Sequence, residues 1–450
     1  MKTKFNKILS VVLTLLVVTG CLTFLSVCKK TDDGSKKEPV DYVSQLAFDL
    51  NSTTKKQKVT VKTYIDGDTT HFNVPETVSE TRVLKARYLA INTPESTGKI
   101  EEYGKAASNF TKDKLKNAKE IYVESDDDKW NLDSTGARHL VWVWYNTAED
   151  ETFRNLNLEI LQNGLAIASN TEASRYGSTC IKALNQAKEL KYNVFSEKPD
   201  PDFYYGKAQV CTLKAIRLNI ESYEGVKVAF EGVVTRQSDN TIYVEDYDEE
   251  TNCWFGMQCY AGYGGLGEAL DFLSVGNRVL VVGTVQYWAA GDTYQVSGLE
   301  YNPRPKPGSE TDNIKLISEG HAPSYHEPTP EEYISKVSLV VDDELKTFDY
   351  AYLNLYSSIS FTDLVVKKTY TTTSESSSSQ GAITLYCEKN GVEIVLRTEV
   401  LYNNGKLVTA DEFKGKTLNV KGILGYYKPE NSSEGNYQVM ILSYKDIVIK

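Results

Sequence analysis

The sequence predicts an α+β barrel carrying three helices, followed by two mainly β, OB-like barrel domains. Three observations carry this prediction. Between residues 59 and 197, short alternating runs are interleaved with segments of helical spacing. Beyond residue 207 the chain reads as short strands. Within that second half, a glycine-punctuated strand pattern occurs twice. A length of 450 residues suits several domains. A 41% hydrophobic and 25% charged composition is that of an ordinary globular protein.

The chain opens on a targeting segment. Lys2, Lys4 and Lys7 precede an apolar run from Ile8 to Val18, and Val18-Thr19-Gly20-Cys21 fits a lipobox. Lipidation is expected at Cys21, with Cys28, followed by Lys29-Lys30-Thr31-Asp32, as the alternative. An uncleaved membrane anchor competes, since about 20 apolar residues span a bilayer. Each reading puts the rest of the chain outside the cytoplasm, on the extracellular face of the membrane or secreted. Residues 1–28 are therefore assigned to the signal or anchor, and the polar segment 29–54 to a tether.

The first domain is placed at 55–200. Val59 to Ile65 alternates like a strand and Asp66-Gly67-Asp68 is a turn. Arg87 to Ile91 is a second strand, ended by Pro94. Its alternation sets Arg87 with Leu89 and Ile91 among inward-facing residues, where an arginine needs an anionic partner. Tyr103 to Ala118 has helical spacing, Glu120–Glu124 and Leu140–Tyr145 are strands, and Phe153–Gln162 and Ala173–Leu190 are helices. Trp142 and Trp144 read as strand residues packing on the barrel.

Lys198-Pro199-Asp200-Pro201-Asp202 then links to a β domain at 207–302. A connector at 303–335 follows, then a second β domain at 336–450. The repeat aligns Gly276, Gly283 and Tyr294-Gln295-Val296 with Gly415, Gly422 and Tyr437-Gln438-Val439. Short strands so punctuated suit OB-type barrels. Ser374 to Ser379 is a low-complexity loop.

The net charge of −11 is the wrong sign for a simple nucleic-acid binder. It is unevenly spread. Residues 55–198 hold 21 basic and 21 acidic residues, whereas 199–450 hold 22 and 35, a balance of −13. The acid therefore lies away from the first domain. Beyond the signal, Cys180, Cys211, Cys253, Cys259 and Cys387 show no zinc-ligand spacing. Cys253 and Cys259 could bridge or stand as unpaired core residues.

The chemistry is concentrated in one constellation: Ile65-Asp66-Gly67-Asp68-Thr69, Arg87, Ile91-Asn92-Thr93-Pro94-Glu95, and Asp133-Ser134-Thr135-Gly136-Ala137-Arg138. Hard oxygens suit a divalent cation. Guanidinium forks suit the equatorial oxygens of a phosphate. A carboxylate suits activation of water.

With Tyr103-Gly104-x-x-Ala107-x-x-Phe110-Thr111 and Gly164-Leu165-Ala166, these motifs resemble, in order, the staphylococcal nuclease (thermonuclease) family over residues 59–197. That is about a third of the chain. The resemblance implies an SNase-type OB barrel with three helices. It also implies a Ca²⁺ ion held by Asp68, Asn92 and the Thr93 carbonyl, phosphate-gripping Arg87 and Arg138, and Glu95 as general base or water-orienting group. Asn92 stands where the family usually has Asp, so one negative charge is lost from the metal shell. Ala137 is one residue more than the usual spacing, and Thr135 stands where a tyrosine is common.

The expected function is that of an extracellular Ca²⁺-dependent endonuclease, cutting DNA, and RNA as a second substrate, to 3′-phosphate ends. The alternative is a catalytically weakened surface lipoprotein that binds nucleic acid or another polymer. His71 and His139 adjoin the motifs but are expected to be surface residues without catalytic roles. The aromatics after the repeat glycines (Tyr287, Trp288, Tyr426 and Tyr427) are candidates for polymer binding. The −13 charge favours a spacer or docking role for that half, and no obligate protein partner is expected.

Overall fold

The computed structural model describes residues 38–98, 100–238, 240–262, 269–289, 291–302, 304, 313–374, 377, 379–429 and 432–450. The expected lipidation site, Cys21 or alternatively Cys28, lies outside these. No helix among the described residues is long and apolar enough to cross a membrane.

The described residues form three five-stranded barrels. The first comprises β1 (Lys56–Asp66), β2 (Thr69–Asn73), β3 (Val83–Tyr88), β4 (Glu120–Glu124) and β5 (His139–Asn146). The second comprises β6 (Lys227–Ser238), β7 (Thr241–Asp248), β8 (Cys253–Tyr260), β9 (Arg278–Trp288) and β10 (Thr293–Ser297). The third comprises β11 (Ser358–Thr371), β12 (Ile383–Lys389), β13 (Val392–Thr398), β14 (Thr417–Tyr427) and β15 (Asn436–Ile441).

Each barrel closes the same way. Its first three strands form an antiparallel meander, its third pairs in parallel with its fifth, and its fourth pairs with both the fifth and the first. This is the OB topology, and closure leaves no open edge among the five strands.

The predicted helices are α1 (Gly104–Lys116), α2 (Leu156–Gln162) and α3 (Gly177–Glu189), all on the first barrel. Asn155 caps α2 through the Leu158 N–H. Within α2, the buried Asn157 amide donates to the Leu89 and Val141 carbonyls and accepts from the Val143 N–H. One side chain thus pins the helix to the β3–β5 seam. Trp142 and Trp144 are fully buried, and their indole N–H groups donate to Asp126 and Glu124.

The glycine repeat has a packing cause. Gly276 and Gly415 hold positive φ just before β9 and β14. A Cβ on Gly283 would lie 2.7 Å from Val296, and one on Gly422 would lie 2.6 Å from Val439. The second glycine of each copy therefore makes room for the valine of its own Tyr-Gln-Val strand.

The connector after residue 302 is structured in part. Lys315–Ser318 pairs with β9. The hairpin of Lys336–Val341 and Glu344–Asp349, expected to open the second β domain, instead packs Val337, Leu339 and Phe348 against the core of the second barrel, ahead of the third. All five cysteines beyond the N-terminal segment are unbridged.

Candidate active site

The turn between β1 and β2 exists in its observed form because α1 lies against it. A Cβ on Gly67 would lie 2.9 Å from Ala107, and one on Gly104 would lie 2.1 Å from the Glu95 carbonyl oxygen. The Thr111 hydroxyl donates to the Gly67 carbonyl at 2.6 Å. Gly104, Ala107 and Thr111, spaced for one helix face, thus press α1 onto both the aspartate turn and the loop that carries Glu95.

Asp68 is 2% exposed. One carboxylate oxygen accepts from the Thr69 hydroxyl (2.9 Å) and from the Arg87 guanidinium. The other accepts from the Thr93 N–H at 2.9 Å. Burial raises the Asp68 pKa, against the pull of Arg87 and of the hydrogen bonds. Arg87 also donates to the Asn92 side-chain oxygen, so its fork bridges the two side chains expected to hold a metal.

Asp66 is also buried. It accepts from the Gly67 N–H and the Ser96 hydroxyl, each at 2.8 Å, and the Glu95 carboxyl lies beside it. Burial first, and then the Glu95 carboxyl beside it, push Asp66 up to about 7.

Arg138 lines the same cleft but is held separately, its Nε donating to Asp133 at 2.6 Å. Burial works upward on Asp133, but Thr135 and Arg138 outweigh it and hold its pKa at about 2. The structure therefore joins Asp68, Arg87, Asn92 and Thr93 by hydrogen bonds. It pairs Glu95 with Asp66 and sets Arg138 across the cleft.

One expectation is corrected. Arg87 does not face inward with Ile91. Ala90 adopts φ +66, which breaks the strand after Tyr88 and resets the alternation. Leu84, Ala86 and Tyr88 point into the core, while Lys85 and Arg87 face the cleft. Lys85 was legible from that alternation, two residues before Arg87. The Asp66–Glu95 pairing had no sequence signal beyond proximity to the motif. His71 also lines the cleft, and burial together with Lys85 and Lys62 pushes its pKa down to about 4. His139 is half-buried, edge-on to Trp130.

The cleft encloses about 800 Å³, and one wall comes from elsewhere in the chain. Ala261, Gly262, Gly298, Leu299 and Glu300 of the second barrel complete it. Gly98 and Gly262 both have positive φ, and a Cβ on Gly262 would lie 2.7 Å from the Gly98 Cα. The Gln286 amide of β9 donates to the Ser96 carbonyl at 3.1 Å. The second barrel therefore grips the loop that follows Glu95.

For a hard cation, the donor chemistry fits. Asp68, Asn92 and the Thr93 carbonyl offer oxygen, and the crowded acids Asp66, Asp68 and Glu95 are a place where positive charge relieves repulsion. Among the described residues no group of three or more acidic, histidine or cysteine side chains is placed to hold a metal alone. An ion here would therefore rely on amide and backbone oxygens.

The fold and cleft define an OB barrel with an acid- and arginine-lined cleft. Residues 85–197 match the family model described as staphylococcal nuclease homologue. The chain is 30% identical to the thermonuclease of Staphylococcus hyicus over 186 residues, which is 40% of this chain and 95% of that protein. It is 32% identical to the thermonuclease of Staphylococcus intermedius over 139 residues, 30% of this chain and 74% of that one. The chain belongs to the staphylococcal nuclease family.

Proposed function

We propose that the protein is an extracellular, membrane-tethered endonuclease that hydrolyses phosphodiester bonds of DNA, and of RNA as a second substrate, with Ca²⁺ as cofactor. The observation that carries this reading is the single cleft lined by Asp68, Arg87, Glu95 and Arg138, with Asn92 hydrogen-bonded to Arg87. The family relationship supports it, and the N-terminal lipobox supports the location.

Asp68, Asn92 and the Thr93 carbonyl would hold the Ca²⁺, which supplies charge neutralisation at the phosphate. Arg87 and Arg138 grip the non-bridging oxygens and stabilise the charge that builds on them. Glu95, exposed in the cleft beside Asp66, orients the attacking water and accepts its proton. The 5′ oxygen leaves with its charge stabilised by Arg138 and takes a proton from solvent, and the phosphate remains on the 3′ side.

The second reading is a weakened, polymer-binding surface lipoprotein. Asn92 favours it, because an amide replaces a charged ligand and is tied to Arg87. Plasmid DNA with about 1–10 mM Ca²⁺, the range in which weak extracellular sites fill, decides between the two. Degradation that stops on chelation and falls by about 10²–10⁴ in Glu95→Gln supports the enzyme. Intact plasmid, or cleavage indifferent to both, sinks it.

A further inference from the structure

The cleft continues past the candidate site. A second cavity of about 240 Å³ adjoins it and shares Thr97, Ile100, Gly298 and Glu300 with its walls. The opposite wall is aromatic. Tyr204 comes from the segment after the first barrel, and Tyr287 and Trp288 come from the end of β9. Tyr287 and Trp288 remain 42% and 39% exposed. Large rigid rings left facing a cavity are poised for stacking rather than for core packing.

Tyr287 is held from the third barrel. The Tyr287 hydroxyl donates to Asp292, and Lys428, just after β14, reaches Asp292 at 2.9 Å. The lysines that line the cavity are already matched: Lys105 with Glu224 at 3.6 Å and Lys227 with Glu300 at 2.9 Å. Asp202 adds further acid. The cavity therefore suits a flat, uncharged group and repels phosphate. Its volume lies below the roughly 300–1,000 Å³ that enclose a drug-sized ligand, which is the scale of one nucleobase.

We propose that this cavity is a base-stacking subsite for single-stranded nucleic acid. With a phosphodiester seated against Arg87, a neighbouring base of the same strand leaves the cleft between the barrels and stacks on Trp288, which lies on the same side of β9 as Gln286. The assignment rests on the nuclease reading for the position of the phosphate. The base itself must be unpaired to enter, so duplex must fray before it gains this contact. The acidic second half thus serves substrate binding through aromatic faces rather than charge.

The test is binding without turnover. Fluorescence anisotropy of a labelled single-stranded octanucleotide is measured with the full chain carrying Glu95→Gln, in Ca²⁺. Adding Trp288→Ala should weaken binding about tenfold, within the range known for one stacked base. Trp288→Phe should restore most of it. The loss should persist unchanged across salt concentrations, because no phosphate contact is removed. An octanucleotide made of abasic sites, read by competition, should bind equally well to both proteins, and this also checks that the variant is folded.

Equal octanucleotide affinity with and without Trp288 overturns the subsite. So does a loss shared by the abasic octanucleotide, or no oligonucleotide binding at all. Plasmid cleavage by the unsubstituted protein is scored separately, so failure of the nuclease reading is told apart from failure of this one.

Discussion

The first and third barrels each place an arginine at the penultimate residue of their third strand, and the two arginines do different things. Arg87 ends β3 and pairs in parallel with Leu140. Arg397 ends β13 and pairs in parallel with Met440. Both reach the connection between the first and second strands of their own barrel. Arg87 finds the buried carboxylate of Asp68 there, and beyond it Asn92. Arg397 finds hydroxyls: Thr384 and Thr372 at 3.0 Å and Ser379 at 3.1 Å.

The first barrel buries Asp66, Asp68, Glu124 and Glu159, whereas among the described residues the third buries no charged side chain. Burying acid is costly unless it is paired, and only the first barrel has α1 to enforce the geometry. The shared topology supplies the address, and the short turn with its helix supplies the chemistry.

The sharpest way to break this comparison is to change both arginines alike. Arg87→Lys keeps the charge but loses the fork that spans Asp68 and Asn92. Cleavage should fall by about 10²–10³, the cost of removing one oriented donor from a developing oxyanion. Arg397→Lys should leave the rate within twofold. Equal losses in a plasmid-cleavage assay would mean that the third barrel is part of the reaction.

The joints between barrels differ as well. The first and second meet through the Gly98–Gly262 approach and the Gln286–Ser96 hydrogen bond. The second and third are locked by a buried carboxylate. Glu245 accepts from the Ser324 and Ser358 N–H groups and from the Ser358 hydroxyl. Glu245→Ala strands these donors and should cost about 2–3 kcal/mol, read by urea unfolding, with little effect on cleavage. A stability loss under 1 kcal/mol would show that water replaces the carboxylate and that the joint is soft.

These joints mark where the sequence stops being legible. Strands of the first barrel were readable because a half-buried strand must alternate, and the glycine repeat was readable because Gly283 and Gly422 each meet a valine. The cluster of Asp68, Arg87 and Glu95 was readable because its motifs have fixed spacing. The reversal at Arg87 was not, because it hangs on Ala90 at φ +66, a conformation that alanine seldom adopts. The wall of the cleft was not, because Gly262, Gly298 and Leu299 fall in no periodic pattern and approach the site only through the docking of two barrels.

The smallest effect expected belongs to His326, on the segment between the second and third barrels. Its ring stacks on Trp254 of β8 with centroids 6.3 Å apart, its backbone bridges to Ile359 of β11, and both ring nitrogens are buried without a hydrogen bond. Burial therefore pushes its pKa down to about 4. The unfolded chain takes up this proton near pH 6.5 and the folded chain near 4. The stability tied to the neutral ring is thus complete above pH 6.5 and is lost as pH falls toward 4, by on the order of 2 kcal/mol. Glu245 acts in the opposite sense, since burial raises its pKa and its protonated form is the one favoured by folding. His326→Phe isolates the histidine: His71 and Glu245 titrate equally in both proteins, so the difference in melting temperature between variant and parent should narrow in the variant's favour from pH 7 to pH 4. Parallel curves would mean that the ring reaches water in the folded protein, and that the joint it sits in opens as readily as the one beside the cleft.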